Sequence, residues 1–316
     1  MILPPLIRPG DRVALVAPAG PVTDSAIERA HERCRRLGLE PVVGASAGAR
    51  TGYLAGHDRD RAADLARALA DPGIAAVWAL RGGYGTLRAL EHLDLSITDG
   101  SPKPFIGFSD NTAIHLALHR RGITSFHGPH AGFEHFPPLT EAAFRSVLME
   151  PGPAGPLPAA APPTVVVAGR AEGELVGGNL ALLAAACGTR YQPETRGAIL
   201  FLEDVGEPLY RIDRMLVQLR LAGLLDGVRG IALGEFVGLT DEEGGSETGR
   251  AGEPAPGLVA LAGELLAPLG VPVLAGLPFG HGRENWTLPL GVRARLDADA
   301  GTLALLEPAT TERMKT

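Results

Sequence analysis

The chain has 316 residues, of which 45% are hydrophobic and 21% charged, with a net charge of −7. That apolar content is enough for a packed core and excludes a disordered chain, while the acidic balance excludes nonspecific nucleic-acid binding as the main task. The length suits two domains of ordinary size.

Cys34 and Cys187 are the only cysteines, so neither a disulfide framework nor a Cys/His zinc site is expected. The first ten residues are short and broken by Pro4, Pro5 and Pro9, unlike a signal peptide. Arg, Glu or Pro interrupts every apolar run before it could span a bilayer. A soluble cytoplasmic protein without a cofactor, nucleic-acid partner or membrane partner is the expectation.

Residues 12–17 read as a buried strand ending at Pro18-Ala19-Gly20-Pro21. Asp24 or Ser25 then caps a helix that Gly38 stops, with Arg33, Arg35 and Arg36 on its solvated face. A strand at 40–43, a helix at 59–69 and a strand at 75–80 follow. Next come the glycine loop Arg81-Gly82-Gly83-Tyr84-Gly85, a further helix, and a strand at 105–108. Alternation of this kind implies right-handed crossovers and a parallel sheet, with ligands beyond the carboxyl ends of its strands.

Residues 151–163 are rich in Pro, Ala and Gly and read as a linker between an α/β domain at 1–150 and a mixed β/α domain at 164–316. In the second half, strands are expected at 164–167, 174–176, 199–202 and 230–233, and near Val273 and Val292. Helices are expected at 179–186 and 210–222, with one more after the polar loop 240–256. Within that loop, residues 244–257 read as a mobile surface segment.

Ser109 follows a buried strand and precedes an amphipathic helix, so its hydroxyl stands at a strand's carboxyl end and a helix's positive end. Such a turn exposes a nucleophile and offers backbone N–H groups to an oxyanion. The alternative is a plain N-cap serine, and Gly-Phe-Ser-Asp-Asn departs from Gly-x-Ser-x-Gly. Glu203, at the end of an apolar strand, is the better candidate to orient a histidine; Asp204 and Glu207 are rivals in the same turn. His281 lies between Gly280 and Gly282 and can move protons. Serine, histidine and carboxylate together make the nucleophile, base and orienter of acyl transfer.

Gly82 and Gly83 let backbone approach a reacting carbonyl, so the N–H groups of Gly83 and Asp110 are the oxyanion candidates. The loop lacks the Walker lysine and GxGxxG spacing, which weakens a nucleotide reading and leaves anion binding without catalysis as a further alternative. Arg81 and Arg283 are candidates to pair with a substrate carboxylate. His127, His130, Glu134 and His135 form the one metal-like cluster, but Pro129 breaks the helical spacing that ligation would use.

Five segments together carry a family resemblance: Val16-Ala17-Pro18-Ala19-Gly20-Pro21; Leu80 to Gly85; Gly107-Phe108-Ser109-Asp110; Leu202-Glu203-Asp204 through Arg214; and Phe279-Gly280-His281 with Leu288-Pro289-Leu290-Gly291. The chain resembles, over nearly its whole length, the LD-carboxypeptidase family of serine peptidases, which includes the microcin C immunity proteins. The resemblance implies a flavodoxin-like N-terminal domain and a swivelling β/β/α C-terminal domain with the site between them. It implies a Ser109–Glu203–His281 triad, with Glu207 as the alternative carboxylate, and a homodimer. The implied substrate is a murein tetrapeptide of peptidoglycan recycling that loses its terminal D-Ala, or, on the immunity branch, a peptidyl or aminoacyl nucleotide.

Overall fold

The computed structural model describes residues 1–240, 246–247 and 253–312. Most of the segment 240–256 read as a polar loop lies outside the described residues.

Apolar runs Arg12–Val16, Ala76–Ala79, Phe105–Gly107 and Phe126–His127 form parallel strands, flanked on the other side by Glu40–Val43. Their spatial order is 40–43, 12–16, 76–79, 105–107, 126–127, with the antiparallel Leu288–Pro289 at the far edge. The five parallel strands thus follow the flavodoxin order 2-1-3-4-5. Helices Asp24–Arg36, Asp58–Ala70, Thr86–Leu90 and Thr112–His119 supply the crossovers. Thr23 caps the first of these, accepting a hydrogen bond from the Ala26 N–H at 3.3 Å. Asp24 falls inside the first turn, where its charge complements the dipole.

A second, eight-stranded sheet is built on the parallel strands Arg170–Asn179, Ile199–Val205, Gly230–Val237 and Val273–Gly280. Antiparallel strands Arg293–Asp297 and Thr302–Leu305 extend one side, and Thr164–Val167 the other. Pairing with Arg293–Asp297 explains why the strand expected at 174–176 begins at Arg170. Gly155–Pro156, within the Pro/Ala/Gly-rich stretch, pairs with Ala304 and Leu305 at the sheet edge. Leu288–Pro289 returns from the second half to pair with His127 and Phe126 in the first sheet.

The two sheets meet where Thr112–His119 lies against the strand Arg170–Asn179. Thr112 is fully buried, and its hydroxyl accepts the Asn179 N–H at 3.0 Å. The Asn179 side chain in turn caps the helix Leu180–Ala186 and donates to Asp204 at 2.9 Å. Thr112→Val keeps the shape but strands a buried donor, so it should cost about 1–3 kcal/mol. Urea unfolding of Thr112→Val against Thr112→Ser measures this; equal stability of the two variants would show that the hydroxyl carries no weight.

Candidate active site

Phe105, Ile106 and Gly107 are wholly buried, and Phe108 continues the strand in an extended conformation. Ser109 then turns sharply, with φ at +59°, the only positive φ of a non-glycine residue among the described residues. A side chain in the left-handed region costs on the order of 1–2 kcal/mol, so its surroundings must enforce it. Asn111 donates its backbone N–H to the Phe108 carbonyl at 3.1 Å and its side-chain amide to the same oxygen at 3.2 Å. His130 Nε2 sits 2.9 Å from the Asn111 amide and 3.1 Å from the Phe108 oxygen. Asp110 accepts the Thr86 N–H at 2.8 Å and the Thr86 hydroxyl at 2.6 Å. Burial pushes the Asp110 carboxyl up, and the two Thr86 donors act against that.

Gly82 lies directly against this turn. A Cβ there would stand 2.9 Å from the Ser109 Cβ and 3.1 Å from its hydroxyl oxygen, so any side chain would displace the serine. The Gly82 carbonyl accepts the Gly20 N–H at 2.9 Å, joining the loops after two neighbouring strands. Arg61, whose side chain is wholly buried, donates to the carbonyls of Pro18 and Gly85 and pairs with Asp58. Arg81 is exposed and donates to the Pro21 carbonyl at 2.9 Å.

Glu203 lies within the strand Ile199–Val205, which runs past the end expected at 202; it has no exposed surface, and its Oε2 lies 2.6 Å from His281 Nδ1. The His281 ring packs 4.8 Å from the ring of Phe108, the residue before Ser109. The geometry thus brings the serine turn, the histidine and one carboxylate together from two sheets. The rival carboxylates are committed elsewhere. Asp204 accepts from the Ala181 N–H and the Asn179 amide, both at 2.9 Å, and burial followed by the nearby Glu203 raises it to about 6. Glu207 pairs with Arg211 at 3.5 Å. Arg283 is exposed two residues beyond His281, and no ion pair among the described residues involves it.

The metal-like cluster is split. His127 and His130 are buried, while Glu134 and His135 are exposed. Among the described residues, no three His, Cys, Asp or Glu side chains gather to hold a metal. Burial, reinforced by neighbouring imidazoles, holds His127 and His130 well below the usual histidine range, so both are neutral.

Sequence reasoning missed Arg61, Thr86, Asn111 and His130 as supports of the turn. Arg61 had a readable signal: it shares a helix face with the buried Leu65, Ala68 and Leu69. Thr86 and His130 had none, because their contacts join separate loops, and Asn111 bonds back to Phe108 within the turn itself.

The residues 13–128 match the family model described as the LD-carboxypeptidase N-terminal domain, and 172–296 match the LD-carboxypeptidase C-terminal domain. The chain belongs to the LD-carboxypeptidase family. It is 42% identical to a putative carboxypeptidase of Streptomyces coelicolor, covering 98% of this chain and 97% of that protein. The fold of this LD-carboxypeptidase matches a muramoyltetrapeptide carboxypeptidase from Oxalobacter formigenes at a TM-score of 0.77 and 33% identity, covering 93% and 97% of the two chains. It also matches MccF in complex with glutamyl sulfamoyl guanosine at a TM-score of 0.86 and 25% identity, covering 98% and 100%. Among the described residues, no helix is long and apolar enough to cross a membrane.

One further carboxylate crowds the histidine loop of the enzyme. The Glu235 carboxylate fills the space a Gly282 side chain would need, and its buried Oε2 has no partner among the described residues. Burial, then the nearby Glu284, raises Glu235 to about 7. An unfolded glutamate titrates at about 4.3. Between these values the folded chain holds a proton that the unfolded chain has released, so this group's contribution to stability falls as pH rises and levels off above 7. Glu235→Gln removes that loss. Its advantage in melting temperature should therefore grow from pH 5 to pH 7.5; a pH-independent difference would refute the assignment.

Proposed function

We propose that this enzyme is a serine-type LD-carboxypeptidase that removes the terminal D-Ala of murein tetrapeptides in peptidoglycan recycling. One observation carries the reading: a strained serine turn faces a glycine loop and adjoins a histidine held by a buried glutamate. Ser109 attacks the carbonyl of the amide that joins an L-centre to the D-residue. His281 takes the serine proton at Nε2 and delivers it to the leaving amine, while Glu203 fixes the tautomer at Nδ1 and stabilises the imidazolium. The N–H groups of Asp110 and Gly83 receive the oxyanion. Water then repeats the cycle and frees the acyl group.

The leaving D-residue must lie on the His281 side, since its amine receives that proton. Arg283 stands on the same loop and is suited to pair with the terminal carboxylate. Arg81 is less suited, because its guanidinium already donates to the Pro21 carbonyl. The family resemblance further implies a homodimer, and the composition of the chain supports a cytoplasmic protein with domains at 1–150 and 164–316. A second reading, hydrolysis of an aminoacyl nucleotide, draws on the similarity to MccF. Mass spectrometry of reactions with a D-Ala-terminated tetrapeptide and with an aminoacyl sulfamoyl nucleoside separates the two.

If the three residues act as one unit, Ser109→Ala and His281→Ala should each lower kcat by about four orders of magnitude, and the double variant should be little worse. Glu203→Gln should cost less, and Glu207→Gln little. A crippled Glu207→Gln beside a mild Glu203→Gln would overturn the choice of carboxylate.

Amidating the terminal D-Ala should raise the wild-type barrier by about 2–4 kcal/mol, the range for losing a charged partner in a closed site. Arg283→Ala should lose activity on the free acid and become nearly indifferent to amidation, whereas Arg81→Ala should remain sensitive. Equal cleavage of acid and amide by the wild type would replace the carboxypeptidase reading with a broader amidase.

A further inference from the structure

Two exposed tyrosines stand beside the serine turn and take no part in the chemistry above. Tyr84 is 52% exposed and Tyr53 66% exposed, and their rings meet edge to face with centroids 5.7 Å apart. Leaving two large rings in water is unfavourable unless something covers them.

The backbone presents both rings outward. Tyr84 sits between Gly83 at φ +109° and Gly85 at φ +124°, conformations that reverse the chain on each side of it. Tyr53 stands at the tip of a two-residue turn closed by Thr51 and Leu54, whose backbones exchange hydrogen bonds at 2.9 and 3.1 Å. Buried Leu54 packs beneath Gly85, and the Ala55 N–H donates to the Ala19 carbonyl at 2.9 Å, so the two tips are fixed to one base.

The position is close to the reacting centre. Gly82, two residues before Tyr84, touches Ser109, and Thr86, two residues after it, bonds to Asp110. At 3.8 Å per residue, the Tyr84 backbone lies within about 8 Å of both contacts. On the mechanism proposed above, the leaving group takes the His281 side and the acyl part extends away from it, along the 81–85 loop that lies against Ser109.

We propose that Tyr53 and Tyr84 form a subsite that stacks against the sugar ring of a muramoyl peptide on the acyl side of the scissile bond. This rests on the muropeptide reading given above. A pyranose offers weakly positive C–H groups to the negative face of an aromatic ring, and its hydroxyls match the tyrosine hydroxyls. The two arginines that flank Tyr84 are already engaged: Arg88 pairs with Asp58 at 2.8 Å and Arg81 bonds to Pro21. A neutral hydroxylated ring therefore fits this surface better than a nucleotide, whose charged linkage would ask for a cation.

The test compares kcat/KM for a D-Ala-terminated tetrapeptide with and without an N-acetylmuramoyl group. Wild type should prefer the muramoylated form by about five- to tenfold, the scale of one or two aromatic stacking contacts. Tyr53→Ala and Tyr84→Ala should bring the ratio close to one, and Tyr84→Phe should keep most of it. A wild type without preference, or alanine variants with the ratio intact, overturns the subsite, even if both rates fall together. Calorimetry on Ser109→Ala protein reads binding without turnover. There, N-acetylmuramoyl tripeptide should bind about five- to tenfold more weakly after Tyr84→Ala, and an equal affinity overturns the proposal. Loss of aminoacyl sulfamoyl nucleoside binding instead of muramoyl peptide binding overturns the sugar assignment in favour of a base. If wild type cleaves neither peptide, the activity reading fails, and the calorimetric ratio still decides the subsite.

Discussion

The architecture depends on the seam between two parallel sheets. Ser109 follows a strand of one sheet; Glu203 lies within a strand of the other, and His281 follows the strand Val273–Gly280 of that same sheet. Neither sheet holds the constellation alone. The seam must therefore fix two rigid bodies to within the tolerance of a hydrogen bond, and it does so with buried polar contacts. Thr112, just past the serine turn, accepts from Asn179, and Asn179 reaches Asp204 beside Glu203. Polar contacts at such a place give directional register that apolar packing alone lacks.

The same logic governs the serine turn. A left-handed serine is stable only if its neighbours leave it no alternative. Here Asn111 braces the turn from within, Thr86 and His130 hold it from two other loops, and Arg61 ties down the adjoining Gly85 loop. Each satisfies a carbonyl or carboxylate that the loops would otherwise bury unpaired. Glu203 applies the principle to charge. It is fully enclosed, and its short bond to His281 gives the buried carboxylate a hydrogen-bond partner.

Much of this was readable in the residues, for specific reasons. The first-sheet strands are short apolar runs closed by glycine and proline, so period and punctuation both mark them. Ser109 was marked by the strand before it and the helix after it. The choice among Glu203, Asp204 and Glu207 was not decidable from spacing. It turns on which carboxylate faces the seam and which faces Arg211 or the helix at Leu180–Ala186. The return of Leu288–Pro289 to the first sheet was also illegible, since a two-residue pairing leaves no periodicity. Tyr53 carried no signal either, because its meaning comes from a neighbour thirty-one residues away.

That return strand has a consequence for how the molecule is made. The edge at Phe126–His127 stays open on a nascent chain until Leu288–Pro289 leaves the ribosome. During vectorial synthesis, the nucleophile-bearing sheet emerges early with an unpaired margin, the kind of surface that recruits foreign strands. Its final partner arrives only after the histidine loop has been made. Completion of the first sheet is thereby timed to the presence of the second, and a truncated chain that lost its last thirty residues would keep Ser109, Glu203 and His281 but be left with an adhesive edge.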